Sequence, residues 1–125
     1  MKIVLLVNNN SEYTASLREY IESLGYIVLG NFFTKEKLRE CREIEKSAIA
    51  IVDHTIEKRG DGVEFVKLIK KRNKKAAIIY TLKDIEQLED SSLLNLKPYR
   101  VLLKPIDWSE LKIALRMLVA YHRTK

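Results

Sequence analysis

Short, uninterrupted apolar runs alternate along this chain with longer stretches in which apolar residues recur every three or four positions. The first run, "KIVLLV", is continuous rather than alternating, the pattern of a strand buried on both faces. It stops at Asn8, Asn9 and Asn10. The stretch "SEYTASLREYIESLG" then predicts a helix, with Ser11 as N-cap, Leu17, Tyr20, Ile21 and Leu24 on one face, and Gly25 at its end. Asn10 competes with Ser11 for the cap. "YIVLGNFF" reads as a second strand and "TKEKLRECREIEK" as a second helix capped by Thr34, with Lys37 three residues on.

"AIAIV" forms the third strand, and "DGVEFVKLIKKRN" a helix with Val63, Val66, Leu68 and Ile69 inward. "AAIIY" is a fourth strand, "LKDIEQLEDSSLLN" a weaker helix and "RVLL" a fifth strand. "DWSELKIALRMLVAYH" closes the pattern as a strong helix capped by Asp107. Five strand–helix units in strict alternation imply a parallel sheet with helices on both faces. Short strands in that number fit an α/β, flavodoxin-like, doubly wound sheet of order 2-1-3-4-5 with five helices. Ligands of such sheets sit beyond the carboxyl ends of the strands, near the switch in strand order.

Composition narrows the picture. The 125 residues suit one domain over 1–125, and 46% apolar residues argue against disorder. No apolar run approaches the roughly 20 residues of a membrane span, and no secretory signal precedes the first strand. The single Cys41 forms no internal disulfide, and no Cys/His spacing suggests zinc. A cytoplasmic protein with no membrane partner is the expectation. The net charge of +6 suggests an acidic partner or nucleic acid, but a solvated Lys-rich surface ranks ahead of both. Lys67, Lys70, Lys71, Arg72, Lys74 and Lys75 cluster near the end of the third helix, where its dipole favours cations. With no aromatic interleaving and no helix-turn-helix, nucleic acid is the weaker reading.

The predicted strand ends carry the candidate chemistry. Strand three ends at Asp53, strand four at Thr81 and strand five at Lys104 before Pro105. A carboxylate able to act as a nucleophile would meet a hydroxyl and an ammonium able to hold oxygens, a set suited to phosphoryl or other anion chemistry. This pattern, with "RGDGVEF" ahead of the third helix, resembles the receiver domain of two-component response regulators over the whole chain. The resemblance implies that Asp53 accepts a phosphoryl group from a histidine kinase or phosphotransfer protein. Thr81 and Lys104 would contact that group, and the Lys104–Pro105 bond would be cis. The implied output is a downstream protein bound at the face of the fourth helix, fifth strand and fifth helix, with a homodimer also open. As an enzyme the domain would do no more than phosphorylate and dephosphorylate its own aspartate.

Departures from the family matter as much. Its strand one ends in an acidic pair that binds Mg²⁺, where Asn8 and Asn9 stand here. Amides supply no charge to a hard cation. A weakened Mg²⁺ site would use Asn9, Asp53 and Thr55; alternatively, the amides bond to loop backbone and replace the ion. Asp53 and Lys104 could then neutralise each other, giving a phosphorylation-independent pseudo-receiver that acts as an interaction module. The loop "DHTIEKRGDG" lacks the family's usual proline and is one residue longer. Val101 replaces the switch aromatic, and Tyr99 does not inherit that role. His54 and His122 read as surface or half-buried residues, Trp108 and Met117 as core or partly buried, and Cys41 as inert. No dinucleotide or phosphate-loop glycine motif is present.

Overall fold

The computed structural model describes residues 3–9, 11–84, 86 and 95–123. Its strands are β1 (Ile3–Val7), β2 (Ile27–Phe32), β3 (Ile49–Asp53), β4 (Ala77–Leu82) and β5 (Arg100–Leu103). Its helices are α1 (Glu12–Ser23), α2 (Lys35–Glu40), α3 (Gly62–Arg72) and α4 (Trp108–Arg123), with a 3-10 turn at Ile44–Lys46. The strands form one parallel sheet of order β2-β1-β3-β4-β5, the flavodoxin-like arrangement expected from the alternation. No helix among the described residues is long and apolar enough to cross a membrane.

The sheet is apolar on both faces because each central strand feeds two cores with alternate side chains. Leu5, Val7, Ala50, Val52, Ile78 and Tyr80 pack with Leu38, Phe65, Val66 and Ile69 in one layer, under α2 and α3. Val4, Leu6, Ile49, Ile51 and Ile79 pack with Leu17, Ile21, Leu111 and Leu115 in the other, under α1 and α4. At the β2 edge the pairing slips: Leu5 faces Leu29 but Val7 faces Phe32. Gly30 and Asn31 thus form a bulge, with Gly30 at φ +43, a left-handed conformation that suits glycine.

Helix ends follow their predicted caps. Thr34 Oγ1 accepts the Lys37 N–H at 3.2 Å, and Asp107 Oδ1 accepts the Ser109 N–H at 2.8 Å. Ser11 caps α1, Asn10 lies outside the described residues, and Gly25 follows at φ +95. The second helix is shorter than its periodicity predicts, stopping at Glu40 instead of continuing to Lys46. Carbonyls of the helix and of the 3-10 turn after it are claimed from elsewhere: Arg72 Nη1 donates to Arg39 O at 3.1 Å, and Asn73 Nδ2 donates to Ile44 O at 3.0 Å. Such side-chain bonds offer the backbone an alternative to the next helical turn. In α3, Phe65 is fully buried alongside Val63, Val66 and Ile69, whereas Leu68 is only half-buried. Met117, expected in the core or partly buried, is exposed at 50%, while Trp108 is half-buried as expected. Most of the predicted fourth helix (82–95) and the side chain of His122 lie outside the described residues.

Candidate functional site

Strand register places the candidate residues. Asp53 and Thr81 are paired across β3 and β4, so their side chains leave the same face of the sheet. Lys104 follows β5 directly, its N–H bonded to Leu82 O at 2.8 Å, and its peptide bond to Pro105 is cis. Lys104 Nζ donates to Asp53 Oδ2 at 2.6 Å. Asp53 Oδ1 accepts the His54 N–H at 3.0 Å and the Thr81 hydroxyl at 3.2 Å. Asp53 is only 4% exposed and Thr81 3%, while the Lys104 side chain is 20% exposed. A short charge-assisted bond therefore closes the carboxylate on its outer side, and neutral donors hold it from within.

An aromatic ring completes this arrangement. Lys104 Nζ lies 5.8 Å from the ring centroid of Tyr13, within cation–π range. The Tyr13 phenol accepts the Ile106 N–H at 3.4 Å. Its pKa is raised chiefly by burial; the bond from Ile106 opposes that shift and the Asp53 charge adds to it. Tyr13 also stacks on Trp108, whose main-chain oxygen takes the Tyr20 hydroxyl at 3.0 Å.

Asn9, Asp53, His54, Thr55, Leu82, Lys83 and Lys104 line a cleft of about 160 Å³. The three residues considered for a weak Mg²⁺ site thus share one cavity wall. Both Asp53 oxygens are engaged, and Thr55 Oγ1 accepts the Gly60 N–H at 3.3 Å. Asn8 is buried and absent from the cleft wall. The Thr14 hydroxyl lies 2.8 Å from Asn8 Oδ1 and 2.7 Å from Asn9 O, sharing one hydrogen between them. Mg²⁺ gives up its water reluctantly and favours anionic oxygens, whereas this set offers one carboxylate already paired with a lysine. Among the described residues, no three His, Cys, Asp or Glu side chains are placed to hold a metal.

Besides Tyr13 and Thr14, three contributors escaped the sequence reading. His54, expected to be a surface or half-buried residue, is buried, with Nδ1 2.6 Å from the Tyr80 hydroxyl. Asp61 organises the longer loop: Oδ1 accepts the Ile56 N–H at 2.8 Å, and Oδ2 those of Glu57 at 3.0 Å and Lys58 at 2.9 Å. Gly62 passes beneath the site, its N–H bonded to His54 O at 2.9 Å; a Cβ there would sit 2.1 Å from Asp53 O. The Asp-Gly pair opening α3 was the available signal, read only as part of the loop-to-helix segment.

No protein-family model and no curated protein matches the chain. Solved structures do match along its length. It is similar to the signal receiver domain of a modulated diguanylate cyclase from Desulfovibrio desulfuricans G20, at 28% identity over 99% of this chain and 98% of that one, with TM-score 0.81. A receiver-domain protein from Clostridium thermocellum matches at 17% identity over 99% and 98%, with TM-score 0.83. A Burkholderia pseudomallei response regulator, whose structure holds a phosphorylated aspartic acid, a calcium ion and citrate, matches at 17% over 99% and 72%, with TM-score 0.78. The chain thus has the fold of response-regulator receiver domains and resembles them from end to end.

Proposed function

We propose that residues 1–125 act as one receiver-type module in which Asp53 occupies the acceptor position and signalling proceeds by protein binding without phosphorylation. The receiver likeness supports a response-regulator role with histidine kinases or other signalling proteins as partners. The observation that carries the finer reading is the closed carboxylate. Lys104 takes one Asp53 oxygen at 2.6 Å, Thr81 and His54 take the other, and Thr14 engages the Asn8 and Asn9 oxygens. Charge balance is met within the protein, where an acidic pair would need a cation.

The partner surface in this reading is the β5 edge with α4. Tyr99, Leu103, Ile113 and Met117 are all exposed there, and the Arg100 guanidinium lies 5.9 Å from the Tyr99 ring centroid. Exposed apolar side chains beside an aromatic–arginine pair suit a protein contact. Cytoplasmic placement belongs to the same proposal.

A second reading is favoured by the convergence of Thr81 and Lys104 on Asp53 at the wall of the cleft. Here an Asp53 oxygen attacks the phosphorus of a phosphohistidine, an O–P bond forms as the N–P bond breaks, and the histidine nitrogen takes a proton. Lys104 and Thr81 hold the transferred oxygens. Intact mass after incubation with a small phosphoryl donor, with and without Mg²⁺, separates the two. No gain is expected in either condition; a phosphate-sized gain that disappears in Asp53→Asn overturns the first reading in favour of the second.

A further inference from the structure

We infer that the groove between α2 and α3 is a docking site for an acidic helical segment of a partner protein. This site shares no residue with the cleft at Asp53 and does not depend on whether Asp53 is phosphorylated. Lys35, Arg39, Glu64, Lys67, Leu68 and Lys71 line a cleft of about 320 Å³. Lys35 pairs with Glu64 across it at 3.0 Å. Arg39, Lys67 and Lys71 are exposed, and their side chains have no carboxylate partner among the described residues.

Two features distinguish this groove from a solvated basic surface. First, it is held at one end. Arg72 joins the last turns of α2 and α3 by donating to Arg39 O at 3.1 Å, whereas the Lys35–Glu64 pair at their first turns is largely exposed and contributes little rigidity. Arg72 is itself held by Glu45 at 2.9 and 3.1 Å. A ligand therefore meets a groove already fixed at that end, which lowers the ordering cost of binding. Second, the helix-end dipole accounts for Lys71 and Arg39 but not for Lys67, in the middle of α3, or Lys35, at the start of α2.

The spacing selects the ligand. Lys35 and Arg39 are one turn apart on α2, as are Lys67 and Lys71 on α3. Cations one turn apart complement a ligand that presents carboxylates one helical turn apart on one face, with Lys35 shared between Glu64 and the ligand. Half-buried Leu68 and the alkyl stems of the lysines offer an apolar floor, which suits a peptide carrying a leucine between its glutamates. No aromatic side chain lines the groove to stack a base.

The test is fluorescence anisotropy at low salt with a labelled helical peptide carrying glutamates four residues apart around leucine, beside a peptide of the same composition in scrambled order. The full chain is expected to bind the patterned peptide saturably and more tightly than the scrambled one. Lys67→Glu/Lys71→Glu should weaken binding by about tenfold or more, since charge reversal turns attraction into repulsion. Glu64→Gln should tighten it, a gain that misfolding cannot imitate. Lys112→Glu, on α4 across the sheet, should leave it unchanged. Equal binding of both peptides, no binding, or loss of affinity in Glu64→Gln overturns the proposal. So does a single- or double-stranded oligonucleotide that displaces the peptide at matched charge.

Discussion

Removing the Lys104 ammonium tests whether Asp53 is truly closed. Lys104→Met keeps the alkyl stem and deletes the charge, leaving a carboxylate that is 4% exposed without its counterion. Removing one partner of a buried ion pair costs about 3–5 kcal/mol. Two features reduce that figure: the Lys104 side chain is 20% exposed, and Asp53 keeps its bonds from His54 and Thr81. A cost of about 2–3 kcal/mol remains once these are discounted. Asp53→Asn should cost less, about 1 kcal/mol, because the freed Lys104 head can turn towards water. Urea unfolding followed by circular dichroism measures both. With a slope of about 1.5 kcal/mol per molar urea, Lys104→Met should move the midpoint down by about 1.3–2 M. The double variant should lose less than the sum of the singles. A Lys104→Met loss below about 0.5 kcal/mol, the range of an exposed ion pair, would refute the closed-site argument.

Three other perturbations probe the surrounding framework. Gly62→Ala forces a methyl group to within 2.1 Å of Asp53 O and should cost about 3 kcal/mol or more, whereas Gly25→Ala, at φ +95 in open space, should cost about 1 kcal/mol; paired thermal melts compare them. Asp61→Ala removes the acceptor for three loop N–H groups and should cost about 2–3 kcal/mol, with faster amide exchange at Ile56, Glu57 and Lys58. Burial raises the Cys41 thiol above its ordinary value of 9.0. The folded state therefore favours the neutral thiol: this contribution is complete below that value and is lost as pH rises through the higher folded one. Stability should fall above pH about 9 more steeply than in Cys41→Ala, and native alkylation should rise only at pH above that of a free thiol. Matching pH–stability curves for the two proteins would contradict this account.

The sheet was legible because its three central strands, β1, β3 and β4, are buried on both faces and read as unbroken apolar runs, while the edge strands β2 and β5 were placed by their alternation with helices. Asp53, Thr81 and Lys104 could be found because they stand directly after such runs, and strand ends are where parallel sheets gather side chains. Less legible were features that depend on a distant partner. The early end of α2 is set by Arg72 and Asn73, some thirty residues away, and local periodicity contains no trace of them. His54 resembles a loop residue until Tyr80 is placed opposite it. Met117 fits the apolar stripe of its helix by type, but its position falls on the outer face. The amides after β1 could be read either as metal ligands or as a polar turn; the contact that Thr14, on the next helix, makes with the Asn8 amide and the Asn9 main chain could not be read from the sequence.

The bulge at Gly30 and Asn31 bears on how copies of this chain can meet. An open sheet invites lateral growth, because the outermost strand presents a row of unpaired amide and carbonyl groups to any strand that drifts alongside. Here the β2 margin breaks step with β1 between Leu29 and Phe32, so a straight incoming strand cannot stay in register along it. The opposite margin, β5, spans only four residues. Both borders resist ribbon-like extension, and a homodimer of this chain would be built from side-chain contacts rather than a shared sheet.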